Sequence, residues 1–232
     1  MKQGEIKAME VETNLKHIRR NMEQACEKVN RNLDEITLIA VTKYVTIERT
    51  EEAIKAGITN LGENRQEGFL EKYEHIQDNV QWHFIGTLQS RKVKSVADKV
   101  DVIHSLDRTS LAKEINKRTN ELKDCFVQVN VSGEESKHGL SPKDVLSFVK
   151  EMEKFENIRI VGLMTMAPHI DDEQELRATF RRLAQLRDMV KEEKLTHAPC
   201  EYLSMGMSND YTIAIEEGAT HIRIGSKLVG SE

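Results

Sequence analysis

The sequence predicts an α/β protein built as a single (β/α)8 barrel of the TIM type, with one extra N-terminal helix. Short apolar runs typical of β-strands alternate with amphipathic helical stretches along the chain, and eight such runs occur. The length of 232 residues is one at which a single barrel occupies a whole chain, so one domain over residues 1–232 is expected. A single miscounted strand would leave an open doubly wound sheet as the alternative. That sheet is disfavoured because no G-x-G-x-x-G follows the first run.

The first predicted element is an amphipathic helix over residues 8–32. Its apolar side chains recur at intervals of three and four residues on one face: Val11, Leu15, Ile18, Met22, Cys26 and Val29. An apolar stripe of this kind is buried against another surface. We therefore expect the helix to pack on the outside of the barrel.

Eight predicted strands follow in chain order. They are ITLIAV from Ile36, TNLG from Thr59, WHFIG from Trp82, DVIHSL from Asp101, CFVQVNV from Cys125, IRIVGLM from Ile158, YLSM from Tyr202 and HIRIG from His221. Helical patterns lie between them, and several begin with Ser, Thr or Asp as N-caps. The three prolines fall between predicted elements, and no linker marks a second domain.

Composition argues against several classes of partner. Lys and Arg total 34 against 39 for Asp and Glu, so no basic excess points to nucleic acid or to an anionic membrane surface. The three cysteines are widely separated, which suits a reducing compartment. The N-terminus lacks the apolar stretch of a signal peptide, and every apolar run is shorter than the roughly 20 residues that span a bilayer. We expect a cytoplasmic protein that binds neither nucleic acid nor membrane.

Lys43 directly follows the first predicted strand. Active sites of such barrels form at the carboxyl ends of the strands. Alternation along the strand places Lys43 on the face of Ile39 and Val41, which we assign to the barrel interior. A partly desolvated lysine has a lowered pKa and can form a Schiff base with an aldehyde. A lone lysine at a strand end is more often simply exposed, so its neighbours decide between these readings.

The ends of the last two strands offer a phosphate site. Such sites are often built from the loops after strands seven and eight. Ser208 precedes a helical stretch after the seventh run, and Gly225 and Ser226 follow the eighth. Either loop alone is typical of an ordinary cap or turn, but two together beside Lys43 favour a phosphate site.

Closure of the barrel makes these groups neighbours. Strand eight pairs with strand one, so Arg223 and its following loop are expected beside Lys43. Pyridoxal 5′-phosphate (PLP) sites combine a Schiff-base lysine, a phosphate cradle and an Asp or Arg partner for the pyridine nitrogen. Arg223 is the candidate for that partner, with a barrel salt bridge as its alternative role.

Seven sequence blocks carry a resemblance to a known family. In chain order they are AVTK, LGENRQE, WHFIGTLQSRK, VNVSGEESKHGL, GLMTMAP, LSMGMSND and HIRIGSKLVG. In these blocks the chain resembles the PLP homeostasis proteins, which are similar to the N-terminal barrel of bacterial alanine racemases. The resemblance runs nearly end to end and implies a fold-type III PLP-binding barrel over residues 1–232. Thr87 stands where the family often has proline, a departure that leaves the site residues untouched.

The resemblance implies a set of nine cofactor-binding residues: Lys43, Asn64, His83, Met164, Ser204, Ser208, Arg223, Gly225 and Ser226. Lys43 would hold PLP as a Schiff base, while Arg223 would face the pyridine nitrogen. The phosphate would be contacted by Ser208, Gly225 and Ser226. A helix cap for Asn64 and a satisfied core position for His83 are the alternatives to their roles at the ring.

The resemblance also implies a function. It implies a monomeric protein that buffers or delivers PLP without appreciable turnover, with PLP and apo forms of PLP-dependent enzymes as partners. The alternative is an amino-acid racemase, although those enzymes take a second base from an added C-terminal domain, for which a chain ending at Glu232 is expected to leave no room. A barrel with an empty pocket is a third hypothesis. Lys137, in the polar loop after the fifth strand, is a hypothetical acceptor of PLP in transit.

Overall fold

A computed structural model describes residues 3–76, 79–134, 137–168 and 170–230, with side chains from Glu10 onward. Eight parallel strands close into a barrel in chain order, so the predicted (β/α)8 architecture is confirmed. They are β1 (Thr37–Val41), β2 (Asn60–Glu63), β3 (Gln81–Phe84), β4 (Val102–Leu106), β5 (Lys123–Gln128), β6 (Ile158–Met164), β7 (Tyr202–Met207) and β8 (His221–Ile224). The seam pairs Ile39 of β1 with Arg223 of β8.

Helices follow the strands around the outside. In chain order the α-helices are α1 (Gln3–Lys28), α2 (Ile47–Lys55), α3 (Gln66–His75), α4 (Val93–Val96), α5 (Thr109–Arg118), α6 (Val145–Glu151), α7 (Glu173–Glu192), α8 (Tyr211–Glu216) and α9 (Ser226–Val229). Within the described ranges, no helix combines the length and the apolar character needed to cross a membrane.

Alternation along the strands divides the interior into two regions. Cys125 and Val127 of β5 belong to the large apolar cluster between strands and helices, whereas Phe126 points the other way. Phe126 joins Val161 and Met164 in a small cluster inside the barrel. Successive side chains of a strand face opposite sides of the sheet. Those on the outer side pack against the helices, whereas those on the inner side fill the barrel below its mouth.

The extra N-terminal helix packs outside the barrel, as expected, but its bounds differ from residues 8–32. Helix α1 ends at Lys28 and contacts α2, α8 and α9. The chain then turns at Asn30, which has a φ of 55°. Val29, predicted on the buried stripe, is 36% exposed because it lies beyond the helix end. The other five stripe residues are buried.

Candidate functional site

A cavity of about 480 Å³ opens at the carboxyl ends of the strands. Six of the nine predicted residues line it: Lys43, Asn64, Ser208, Arg223, Gly225 and Ser226. They come from the ends of β1, β2, β7 and β8, which closure of the barrel brings to one mouth. The prediction that these residues share one site therefore agrees with their positions, while their contacts with a cofactor remain predictions.

Lys43 lies in the turn that follows β1. The turn continues into Tyr44, whose φ of 66° is unusual for a residue with a side chain. The Lys43 ammonium lies 5.6 Å from the Tyr44 ring centroid, and Arg65 approaches the same ring at 5.1 Å. Lys43 is exposed rather than partly desolvated, because it stands beyond the end of the strand. It borders both the main cavity and a second cavity of about 490 Å³.

A buried ion pair holds the residue before Lys43. Thr42 donates its hydroxyl to Glu63 Oε1 at 2.6 Å, and Lys72 donates to the same carboxylate oxygen at 2.8 Å. Lys72 also donates to the Thr42 carbonyl at 2.5 Å. The hydroxyl and the carbonyl of Thr42 are thereby fixed, which anchors the start of the Lys43 turn. Sequence reasoning missed this pair, although a Glu at a strand end and an inward Lys on the next helix are its signal.

The loop after β7 differs from its prediction. Helix α8 begins at Tyr211 with Asp210 as N-cap, so Ser208 is not the cap that the sequence suggested. Asp210 instead accepts a hydrogen bond from the Met207 amide at 2.6 Å, which shapes the loop that carries Ser208. Ser208 nevertheless lines the cavity, as does Ser226 after β8. Two hydroxyl-bearing loops thus face one space.

Arg223 forms part of the cavity floor. Its side chain is buried, and it donates from Nη1 to Ser204 Oγ at 2.5 Å and from Nη2 to the Thr165 carbonyl at 2.9 Å. Burial lowers the pKa of Arg223 to about 10, and the Asp210 carboxylate opposes this shift. The guanidinium therefore stays protonated at neutral pH. It is a donor at the bottom of the cavity.

Three predicted residues lie beneath the cavity and outside its lining. Ser204 and His83 belong to a buried hydrogen-bond chain below Arg223, and Met164 packs in the small inner cluster. The alternation that placed them inside the barrel does not give depth along its axis. His83 fits its alternative description as a satisfied core histidine. Met166, 38% exposed, lines the cavity in place of Met164.

Asn64 lines both cavities, and its Oδ1 atom is buried without a hydrogen-bond partner among the described residues. It is not a helix cap, because the N-cap of α3 is Arg65. Gln128, the last residue of β5, also lines the cavity and was missed. The predicted strand CFVQVNV continues past Gln128, so its sequence does not mark Gln128 as a strand end.

The cavity therefore joins an exposed amine, a buried guanidinium, an unpaired amide oxygen and the hydroxyl-bearing side chains of Thr87, Ser208 and Ser226. An amine adds to an aldehyde, whereas hydroxyl and guanidinium donors bind anionic and acceptor groups. This set is suited to a small anionic aldehyde. Among the described residues, no group of three His, Cys, Asp or Glu side chains is arranged to hold a metal ion.

Known proteins are similar to this chain over most of its length. The family model described as alanine racemase, N-terminal domain, matches residues 13–232. A pyridoxal phosphate homeostasis protein of Aquifex aeolicus is 41% identical over 220 residues, covering 93% of this chain and 96% of the relative. The chain belongs to the pyridoxal phosphate homeostasis protein family. Its Haemophilus influenzae relative is 35% identical, with 96% of each chain covered.

Solved structures extend the comparison. The pyridoxal phosphate homeostasis protein fold is matched by a protein from Bifidobacterium adolescentis at a TM-score of 0.93 and 30% identity, over 98% of this chain and 97% of that one. PipY of Synechococcus elongatus PCC7942, solved with PLP bound, gives 0.78 and 28%, over 90% and 100%. Alanine racemase from Corynebacterium glutamicum, at 11% identity and 0.75, shares the fold over 97% of this chain and 62% of the racemase.

Proposed function

We propose that this protein binds PLP as a Schiff base on Lys43 and serves intracellular PLP homeostasis. One observation carries the proposal: Lys43 and the hydroxyl-bearing loops after β7 and β8 line the same cavity, above the buried guanidinium of Arg223. The names of the relatives support it, since they are called pyridoxal phosphate homeostasis proteins. The PLP-bound structure of PipY supports it further.

The residues present fit the cofactor group by group. Lys43 supplies an amine for the aldehyde, and the hydroxyls of Ser208 and Ser226 are donors for the phosphate. Arg223 supplies an N–H for the pyridine nitrogen. The Asn64 Oδ1 atom, buried without a partner among the described residues, is an acceptor for a donor that no neighbouring side chain provides.

PLP, when bound, supplies an aldehyde that one amine can hold and another can take over by exchange. The residues of the protein position that amine and the group that faces the ring nitrogen. The Glu63–Lys72 pair fixes the turn that carries Lys43, so the amine is presented at the mouth. Arg223 donates a hydrogen bond but retains its proton, because a guanidinium is a poor acid. A ring nitrogen facing it accepts a hydrogen bond without gaining a proton, which weakens the ring as an electron sink.

We propose binding without appreciable turnover. Racemisation requires proton donors on both faces of the substrate carbon, and Lys43 serves one face. Tyr202 begins β7 at the opposite end of the barrel, where its ring contacts His221. Tyr44 is at the mouth, where its ring lies near the Lys43 and Arg65 cations.

The racemase-like alternative is favoured by the shared fold of the alanine racemases. Its test is incubation of the PLP-loaded protein with L-alanine in deuterated water, followed by measurement of α-proton exchange and D-alanine. We expect no D-alanine at enzyme-like turnover. Its formation, abolished by Lys43→Ala, would establish an enzyme.

Delivery to apo forms of PLP-dependent enzymes, a cytoplasmic location and a monomeric state complete the proposal. The transit role suggested for Lys137 gains no support from its position, because its ammonium pairs with Glu134 at 2.9 Å and it does not line the cavity. Glu135 and Ser136 of the same loop lie outside the described residues.

The central experiment is spectroscopic. We expect the PLP-loaded protein to absorb visible light, to lose that band with borohydride, and to gain the reduced pyridoxyl mass on the Lys43 peptide. Lys43→Ala should lose the band and retain the fold, while the exposed-lysine control Lys55→Ala should keep both. A borohydride-sensitive band that persists in Lys43→Ala would overturn the assignment.

A further inference from the structure

We infer that His83, His104 and Ser204 are positioning residues. They form a hydrogen-bond chain with a single donor-to-acceptor direction, and this chain sets the orientation of the Arg223 guanidinium toward the cofactor ring. The inference rests on the proposed function, since it concerns the ring that Arg223 would face. It assigns a role to a buried polar layer that lines no part of the cavity.

The chain crosses the barrel interior from β8 to β2. Arg223 Nη1 is 2.5 Å from Ser204 Oγ, and Ser204 Oγ is 2.8 Å from His104 Nδ1. His104 Nε2 is 2.9 Å from His83 Nδ1, and His83 Nε2 is 2.9 Å from Asn60 Oδ1. Each separation is that of a hydrogen bond. His83, His104 and Ser204 are buried, so water does not compete for these contacts.

The two ends of the chain determine its direction. A guanidinium has no acceptor atom, so the Ser204 oxygen must accept from Arg223. At the other end the Asn60 amide is oriented with its Oδ1 toward His83 Nε2 and with its Nδ2 toward Thr59 Oγ1 at 3.1 Å, so Oδ1 is the acceptor. His83 must therefore carry its proton on Nε2.

The middle of the chain follows from the ends. A neutral His83 with its proton on Nε2 accepts at Nδ1, so His104 donates from Nε2. His104 then accepts at Nδ1, and the Ser204 hydroxyl proton points to it. Burial lowers the pKa of His83 to about 3, and burial with the neighbouring imidazoles lowers the pKa of His104 well below 6.5. Both rings are neutral, as this arrangement requires.

This polarity constrains Arg223. Because the Ser204 proton is committed to His104, the Ser204 oxygen presents lone pairs to the guanidinium and not a competing donor. Together with the Thr165 carbonyl on Nη2, it holds the guanidinium at both terminal nitrogens. An intact chain thus fixes the plane from which the remaining N–H groups face the cavity.

The first test uses the protein without cofactor. We expect ¹⁵N NMR to show His83 and His104 as neutral Nε2–H tautomers from about pH 6 to about pH 8. An Nδ1–H tautomer or an imidazolium at either residue would overturn the inference, whatever the protein binds. This measurement also stands if a variant fails to fold.

The second test separates positioning from structural support. Affinity is measured for PLP and for 1-deazapyridoxal 5′-phosphate, which has a C–H in place of the ring nitrogen. We expect the wild type to prefer PLP at least about tenfold, as for loss of one hydrogen bond to a charged group. His83→Phe should reduce that preference at least about threefold, as should Asn60→Leu, which removes only the acceptor at the end of the chain. Asn60→Asp keeps an acceptor oxygen and should retain the wild-type preference.

His221→Phe is the matched control. His221 lies in the same layer, with its ring centroid 6.4 Å from that of His83, but its Nδ1 atom contacts Thr220 Oγ1 outside the chain. The preference of the His221→Phe variant for PLP over the 1-deaza ligand should equal that of the wild type. If His83→Phe lost affinity equally for both ligands, His83 would have only a structural role. That result would overturn this inference and leave the proposed function intact. No preference in the wild type would remove the Arg223 contact of the proposed function and this inference with it.

Discussion

At the scale of single residues, the site combines groups that the sequence predicts with groups that it conceals. Lys43 was predicted because it follows the end of a strand, and Arg223 because it lies on the interior face of one. The Glu63–Lys72 pair and the histidine chain were not, because alternation gives the face of a strand but neither its partner across the barrel nor its depth. Such contacts depend on register around the closed sheet.

The buried Glu63–Lys72 pair makes a prediction about stability. Lys72→Met should lower the free energy of unfolding by about 3–5 kcal/mol, because it leaves a buried carboxylate unpaired. Denaturant unfolding measures this. Lys92→Met removes the partner of the exposed Glu67 and should leave the free energy of unfolding nearly unchanged, because a solvent-exposed ion pair stabilises little. Equal losses in the two variants would contradict the role of the buried pair, and Glu63→Gln in the Lys72→Met background should restore part of the loss.

The hydroxyls of Ser208 and Ser226 lead to a prediction about affinity for PLP. Ser208→Ala and Ser226→Ala should each weaken PLP binding by about 1.5–3 kcal/mol, the range for one hydrogen bond to a charged group. Equilibrium dialysis of the two variants and their double measures the effect. Unchanged affinity in the double variant would move the phosphate to another part of the cavity.

At the scale of elements, order and type were predictable and ends were not. All eight strands were predicted in order, because apolar runs and helical periodicity differ in kind. The end of β5 at Gln128 and the start of α8 at Tyr211 were misjudged, since ends depend on loop hydrogen bonds that periodicity does not encode. Those errors matter here because the site consists of ends.

The contact between the ends of β2 and β3 can be tested at a glycine. A Cβ added to Gly86 would lie 2.2 Å from the Asn64 carbonyl oxygen, so Gly86→Ala must push the two loops apart. We expect a loss of about 1–3 kcal/mol in unfolding free energy and weaker PLP binding. Gly68→Ala, within α3 and with its nearest atom at 3.5 Å, should be neutral or stabilising. A Gly86→Ala protein as stable as Gly68→Ala would refute this packing.

At the scale of the whole molecule, the buried histidines couple folding to pH. Burial lowers the pKa of His83 to about 3 and that of His221 to about 4, and the pKa of His104 lies well below 6.5. Below pH 6.5 the unfolded chain binds protons that the folded chain does not, so stability falls as pH falls from about 6.5 towards about 4. The slope approaches about 1.4 kcal/mol per pH unit for each histidine.

Urea unfolding at about pH 7.5, 6 and 5 tests this linkage, in a window above the ordinary range of carboxylate titration. His221→Phe should flatten the slope by about one third, because one of the three contributing imidazoles is removed. A wild-type free energy of unfolding that stays constant over this range would show that the buried imidazoles titrate normally.

The seam between β8 and β1 also sets the order of events in synthesis. Lys43 leaves the ribosome long before Arg223 and the Gly225–Ser226 loop, which lie far downstream in the chain. The amine and the groups that would receive ring and phosphate meet only when β8 docks against β1, and α1 then packs beside the closing helices α8 and α9. A nascent chain therefore has the reactive amine without the pocket. Retention of the cofactor would therefore indicate that β8 has paired with β1.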